Sequence, residues 1–191
     1  MGNIFVCADL HILYKNIIKY ENRPYANTDE MDKALIKNWN SVVKADDKVF
    51  VLGDVAFTSK AKTIELVRQL NGRKTLIMGN HDRGRSVKFW QDAGFELVSP
   101  HPIVYGGKYI LSHEPFEKSS EDFFYIHGHV HSSEEYDDWN NRAACVSIER
   151  LNYQPARFED VISGKAYKHR KRQRNELPIG NTHENCLCLR S

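Results

Sequence analysis

Seven short apolar runs rich in β-branched or aromatic residues recur along the chain: Ile4 to Ala8, Lys48 to Leu52, Lys74 to Met78, Ile103 to Tyr105, Lys108 to Leu111, Phe123 to Ile126 and Ala143 to Ile148. Runs of this length bounded by turn formers read as strands. Between the first three lie segments with helical periodicity. Over 28–43, Met31, Leu35, Ile36, Trp39, Val42 and Val43 return at three- and four-residue intervals, with Asn27 and Glu30 spaced as a capping box. The pattern makes Trp39 a core residue. A second helix is expected from Ser59, with Ile64, Val67 and Leu70 on one face and a stop near Asn71-Gly72, and a third over 85–93, ended by Gly94. Gly106-Gly107 between two apolar runs predicts a hairpin turn. A β-α-β-α-β-α order followed by a strand-rich half specifies an α/β layered domain with mixed sheets.

Length and charge divide the chain unequally. Its 191 residues suit one compact domain. Residues 1–164 hold 20 basic and 23 acidic side chains, whereas 165–191 hold 7 and 2. We therefore expect a domain over 1–164 and a flexible basic tail over 165–191, where Lys165 to Arg174 carries six Lys or Arg in ten residues. A wholly basic nucleic-acid-binding surface is not indicated for the body, which leaves a local patch or the basic tail as the route to any nucleic-acid contact. Asp9 ends the first apolar run far short of a signal-peptide core or a membrane span, so no membrane association is expected. Cys188 to Ser191 has the outline of a prenylation box, but Arg190 stands where an aliphatic residue belongs. Cys7 and Cys145 lie in strand-like runs and Cys186 and Cys188 in the tail, which is no disulfide framework. A reducing, cytoplasmic setting follows.

Metal-competent residues gather where the strands end. Asp9-Leu10-His11 follows the first run, Gly53-Asp54 the second and Gly79-Asn80-His81-Asp82 the third; His113 and Gly128-His129-Val130-His131 follow two later ones. That edge is where ligand sites of layered α/β folds collect. Residues two apart in extended backbone share a side, so Asp9 with His11 and His129 with His131 can ligate as pairs. Gly53, Gly79 and Gly128 precede ligand candidates and permit sharp turns. Taken alone, each Asp reads as a turn or cap residue, His113 as a structural histidine, and His127 as a packed or supporting group. The ordered set reads as a metal site.

Two carboxylates, one amide and four imidazoles, without a thiolate, make Mn²⁺, Fe, Zn²⁺ and Ni²⁺ the candidates, of which Mn²⁺ is the cation expected. Seven ligands exceed the needs of one such ion. They suit two divalent cations bridged by a carboxylate and a hydroxide, roughly 3.5–4 Å apart, the arrangement for in-line displacement at phosphorus.

In order, D-x-H, G-D, G-N-H-D, a lone His and G-H-x-H over about residues 3–150 resemble the calcineurin-like metallophosphoesterase superfamily. Lys15 to Tyr20 with Arg23-Pro24, and Ser147-Ile148-Glu149-Arg150-Leu151-Asn152-Tyr153, resemble a small subgroup from bacteria and their viruses. The resemblance implies a four-layer α-β-β-α sandwich with a dinuclear site at its top. It assigns Asp9, His11 and His131 to the first ion, Asn80, His113 and His129 to the second, and Asp54 to both. His81 matches the family's general acid, and Asp82 completes its motif. Subgroup relatives often carry histidine where this chain has Tyr14, so the loop after the first site departs from their pattern.

The mechanism expected is attack on phosphorus by a hydroxide bridging the two ions, with Asn80 and His81 holding developing charge and protonated His81 serving the leaving oxygen. Arg23 and Arg142 are candidate substrate contacts, since guanidinium forks suit phosphate oxygens; the alternative is an exposed surface arginine. The resemblance implies a phosphate ester as substrate, a diester in preference to a monoester and with nucleotides among the candidates. A nuclease and a catalytically silent scaffold are the alternatives; the intact ligand set and G-N-H motif weigh against the second.

Overall fold

The computed structural model describes residues 2–116 and 120–167. The tail from Lys168 onward, with the Cys188 to Ser191 outline that Arg190 breaks, lies outside the described residues. Among the described residues, nine strands form two mixed sheets, interleaved with five α-helices.

The first sheet is built as the repeating strand–helix order requires. β1 (Ile4–Cys7), β2 (Lys48–Val51), β3 (Arg73–Ile77) and β4 (Phe95–Ser99) run parallel, and β9 (Ala156–Arg157) closes the other edge antiparallel, giving the order β4-β3-β2-β1-β9. α2 (Thr28–Val42) carries β1 to β2, α3 (Lys60–Val67) carries β2 to β3, and α4 (Val87–Ala93) carries β3 to β4. Asn27 caps α2 by accepting from Glu30 N–H at 2.9 Å, and the Glu30 carboxylate reaches back to Ala26 N–H at 3.0 Å. This is the predicted capping box displaced by one residue. Ser59 and Ser86 cap α3 and α4, and Gly94 ends α4 at φ +115°. Four strands and α-helices go beyond the sequence reading: α1 (Lys15–Tyr20) after the first site loop, the edge strands β4 and β9, and α5 (Phe158–Ile162).

The second sheet has the order β5-β6-β7-β8, from Ile103–Tyr105, Tyr109–Leu111, Phe124–His127 and Ala143–Cys145. β5 and β6 form the expected hairpin, with Gly106 and Gly107 both at positive φ; β6, β7 and β8 are parallel. α1 to α4 precede β5 and α5 (Phe158–Ile162) follows β8. Connections within this sheet therefore carry no α-helix among the described residues.

Side chains from both sheets share one core. Phe50 of β2 meets Tyr105 of β5 edge-on at 4.8 Å, and Phe158 of α5 meets Tyr105 and Tyr109 at 5.5 and 5.1 Å. Trp39 and Trp90 are fully buried, with their indole N–H groups donating to Asn71 O and Asp82 O. The sheets are also stitched where β1 ends. Ala8 N–H donates to Val146 O at 2.9 Å, Ile148 N–H to Ala8 O at 3.0 Å, and Val146 N–H to His127 O at 2.7 Å. The run 143–148, expected as one strand, thus leaves β8 after Cys145, pairs with the end of β1 and enters a 3₁₀ turn at Ile148–Leu151.

Packing continues past the predicted boundary at Gly164. Tyr167 is buried and its hydroxyl donates to Cys145 O at 2.8 Å. No helix among the described residues is long and apolar enough to cross a membrane.

Candidate metal centre

All five metal-competent clusters come together at the strand ends where the sheets are stitched. Asp9 and His11 follow β1, Asp54 follows β2, Asn80 to Asp82 follow β3, His113 follows β6, and His129 and His131 follow β7. The paired ligands do not converge by extended geometry, as their spacing suggested. Asp9, His11, Asp54, His129 and His131 all have positive φ, between 46° and 69°. They sit in tight turns that return the chain toward one point, a conformation costing on the order of 1–2 kcal/mol per residue and concentrated at functional sites.

Close backbone approach sets the turns. A β-carbon at Gly79 would stand 2.3 Å from Asp54 Oδ1, and one at Gly128 would stand 2.4 Å from Ala8 Cβ and 2.8 Å from Asp9 Oδ2. Asp82 holds two turns together: it is buried and accepts from Asp54 N–H at 2.7 Å, Val55 N–H at 3.1 Å and Gly79 N–H at 2.9 Å. Asp82, grouped with His81 as a catalytic candidate because it completes that motif, thus has both oxygens engaged by the backbone of these turns.

The acceptors sort into two groups around Asp54. On one side, Asp54 Oδ2 lies 3.6 Å from His11 Nε2, and metal-competent atoms of Asp9, His11 and His131 all lie within 4.8 Å of one another. Both ring nitrogens of His11 and Asp9 Oδ1 are buried without hydrogen-bond partners. On the other side, Asp54 Oδ1 lies 3.6 Å from His113 Nε2, which also faces Asn80 Oδ1 at 2.9 Å and His129 Nδ1 at 3.1 Å. Leu52 O, 2.8 Å from His113 Nδ1, accepts the proton of that nitrogen. His113 Nε2 then turns a lone pair toward the acceptor oxygens of Asn80 and Asp54, a contact that a cation resolves. Asp9 reaches this group as well, within the same 4.8 Å as Asp54 and His113. Buried acceptors without donors, of nitrogen and oxygen type, fit two divalent cations.

Burial, with Asp9 and Asp82 nearby, pushes the Asp54 carboxyl up to about 7 despite the opposing His113. Burial, then His131, holds His11 well below the usual histidine range. His131 is driven the other way, up to about 9: burial opposes its charge, but the hydrogen bond to Glu149 and the charges of Asp9 and Glu149 outweigh it.

His81 stands at the rim, its side chain 47% exposed, with Nε2 3.9 Å from Asp54 Oδ2 and its backbone N–H donating to Asp54 Oδ1 at 3.2 Å. Phe57 packs on its ring at 4.6 Å and stacks on Tyr14 at 4.3 Å and on His11 at 5.1 Å. The aromatic wall built by Phe57 and Tyr14 carries no motif, and nothing in the residue pattern singles out Phe57.

The two arginines expected to meet substrate lie elsewhere. Arg23 is buried beneath the site, every N–H engaged by Glu149, Leu10 O, Asp9 O or Met31 Sδ. It supports the site from below and is neither a substrate contact nor a surface residue. Arg142 directly precedes β8, at the opposite end of that strand from His127 to His131, with Glu121 3.9 Å away. His127 is buried and bonds within its own turn, its Nδ1 3.0 Å from Gly128 O, as a supporting group would. Glu149 is a site residue to which the sequence reading assigned no role; its only signal is membership of the Ser147 to Tyr153 stretch.

Comparison with known proteins finds the calcineurin-like phosphoesterase family model matching residues 2–177. An uncharacterized protein of Methanocaldococcus jannaschii is 38% identical over 170 residues, covering 85% of this chain and 90% of its own length. The Gene 66 protein of Mycobacterium phage L5 is 32% identical over 166 residues, covering 69% of this chain and 79% of its own. Among solved structures, a protein of unknown function from Aquifex aeolicus superposes with a TM-score of 0.64 at 24% identity, over 85% of this chain and 99% of that one. That last likeness bears on the fold alone.

Proposed function

This chain belongs to the calcineurin-like phosphoesterase family, and from that premise we propose that it is a dinuclear-metal-dependent phosphodiesterase with Mn²⁺ as its preferred cation. The observation that carries the reading is the division of acceptors around Asp54, one oxygen facing His11 and the other His113, each at 3.6 Å. Asp9, His11 and His131 would hold one cation, Asn80, His113 and His129 the other, and Asp54 both. When bound, the pair would supply charge stabilisation for the phosphate oxygens and a hydroxide nucleophile near neutral pH.

His81 is the proton donor to the leaving oxygen. Its ring is half-exposed at the rim, open to an incoming ester, while its backbone bond to Asp54 and the contact with Phe57 limit where it can point. Burial, then His113, lowers its pKa, and an anionic ester beside the ring acts in the opposite direction. The diester preference is supported by charge. With Arg23 buried below and Arg142 at the far end of its strand, neither guanidinium meets the second negative charge of a monoester.

Two substitutions separate metal holding from proton donation. Asp54→Asn should abolish uptake of the cation pair, measured by elemental analysis after reloading metal-free protein. His81→Ala should retain the metal and lose kcat by about 10²- to 10⁴-fold, more with alkyl than with p-nitrophenyl leaving groups. An Asp54→Asn protein that still holds two cations, or a His81→Ala protein with undiminished kcat on alkyl esters, would contradict these roles.

A further inference from the structure

The Ser147 to Tyr153 stretch has no part in the reaction as proposed, yet two consecutive residues of it hold the loops that carry the site. The Glu149 side chain is 4% exposed. Its Oε1 lies 3.2 Å from His131 Nδ1 and accepts from Arg23 Nε at 2.9 Å and Arg23 Nη2 at 2.5 Å. Arg23 in turn donates to Leu10 O at 2.9 Å and Asp9 O at 2.8 Å. Arg150 donates to His131 O, to Ser133 O at 2.7 Å and to the Asp138 carboxylate at 2.7 Å. One residue grips the His131 ring, the next grips its carbonyl, and Arg23 couples the first of these to the backbone between Asp9 and His11.

We propose that Glu149 is a positioning residue for the first cation: it accepts the Nδ1 proton of His131, leaving Nε2 as the lone pair for metal, and through Arg23 it locks that ring to the turn bearing Asp9 and His11. The inference rests on the dinuclear reading above. A carboxylate behind a ligating imidazole selects the tautomer and fixes the ring plane. Arg23 makes the arrangement specific, because its Nε and Nη2 both donate to Glu149 Oε1, the same oxygen that faces His131 Nδ1. The same atoms argue against a third cation. Glu21, His131 and Glu149 lie within 4.8 Å of one another, but the guanidinium already on Glu149 Oε1 repels another positive charge there.

Glu149→Gln tests this, since the amide keeps the shape and an acceptor oxygen but loses the charge. Metal-free wild type titrated calorimetrically with Zn²⁺ should bind two equivalents. The variant should bind one of them roughly 10- to 100-fold more weakly, with the other unchanged and kcat largely regained in excess metal. Wild-type affinity at both sites of the variant overturns the positioning role while leaving the dinuclear reading intact. Wild type that takes up no Zn²⁺ overturns the dinuclear reading, and this inference with it. Should the variant not fold, long-range ¹⁵N–¹H correlation on the Zn²⁺-loaded wild type decides, with His131 assigned by a His131→Gln sample. Retention of the Nδ1 proton with Nε2 ligated is expected, and ligation through Nδ1 overturns the proposal.

Discussion

At the scale of single residues, the site depends on turns that only certain residues can occupy. Asp and His tolerate the left-handed region better than β-branched residues do, which helps explain why ligands and turn formers coincide here. Gly128 illustrates the tolerance involved. His129 N–H donates to Asp9 Oδ2 at 2.9 Å, and a β-carbon on Gly128 would intrude on that same oxygen and on Ala8. Gly128→Ala should therefore destabilise the protein by about 1–3 kcal/mol and weaken uptake of the cation held by Asp9. Thermal unfolding with and without metal checks both effects, and an unchanged metal-dependent shift in Tm would count against this coupling. The gathering of the candidate ligands at the strand ends was legible in the sequence because family motifs and strand ends both mark them. The places of Arg23 and Arg142 were not, because partners such as Glu149 lie 126 positions away from Arg23, and no local pattern reports burial of an arginine.

At the scale of elements, the long periodic helices and the buried strands were readable, and the short or marginal ones were not. α1 has six residues, one of them buried, and no side-chain cap, so periodicity has almost nothing to act on. β4 follows Gly94 directly and lies at a sheet edge with an irregular register beside Lys74 and Thr75, which blurs its alternation. α2 contributes more than packing. Its buried Asp32 accepts from Leu13 N–H at 3.1 Å, in the loop that leaves the first site. Burial raises the Asp32 carboxyl to about 6. The folded state then binds a proton that the unfolded state has already lost, so stability falls as pH rises from about 4 through about 6, the penalty being complete above that. Asp32→Asn should flatten this segment of the stability profile of metal-free protein. Denaturant unfolding at pH 4.5 and 7.5 would show it, and a variant with the wild-type slope would refute the assignment.

At the scale of the whole molecule, the site exists because two sheets meet at one edge. β1 is central to the stitching, paired with β2 and β9 along its length and with the 146–148 segment at its end. This brings Asp9 and His11 of one sheet against Gly128 to His131 of the other, while Asp82 ties the β2 and β3 turns that present Asp54 and Asn80. The α/β class and the mixed character of both sheets follow from the order of runs along the chain. The exit of 146–148 from its strand follows from pairing across the molecule and is invisible to local pattern. Every ligand of the proposed pair thus comes from a loop fixed by at least one sheet, which suits a reaction whose catalysis is chiefly positioning and charge.

The most direct test of the central claim is hydrolysis of bis-p-nitrophenyl phosphate and p-nitrophenyl phosphate by metal-free protein, before and after reloading with Mn²⁺. The expected result is no release without metal and, once Mn²⁺ is restored, faster release from the diester than from the monoester. Two bound cations with no release from either ester would contradict it.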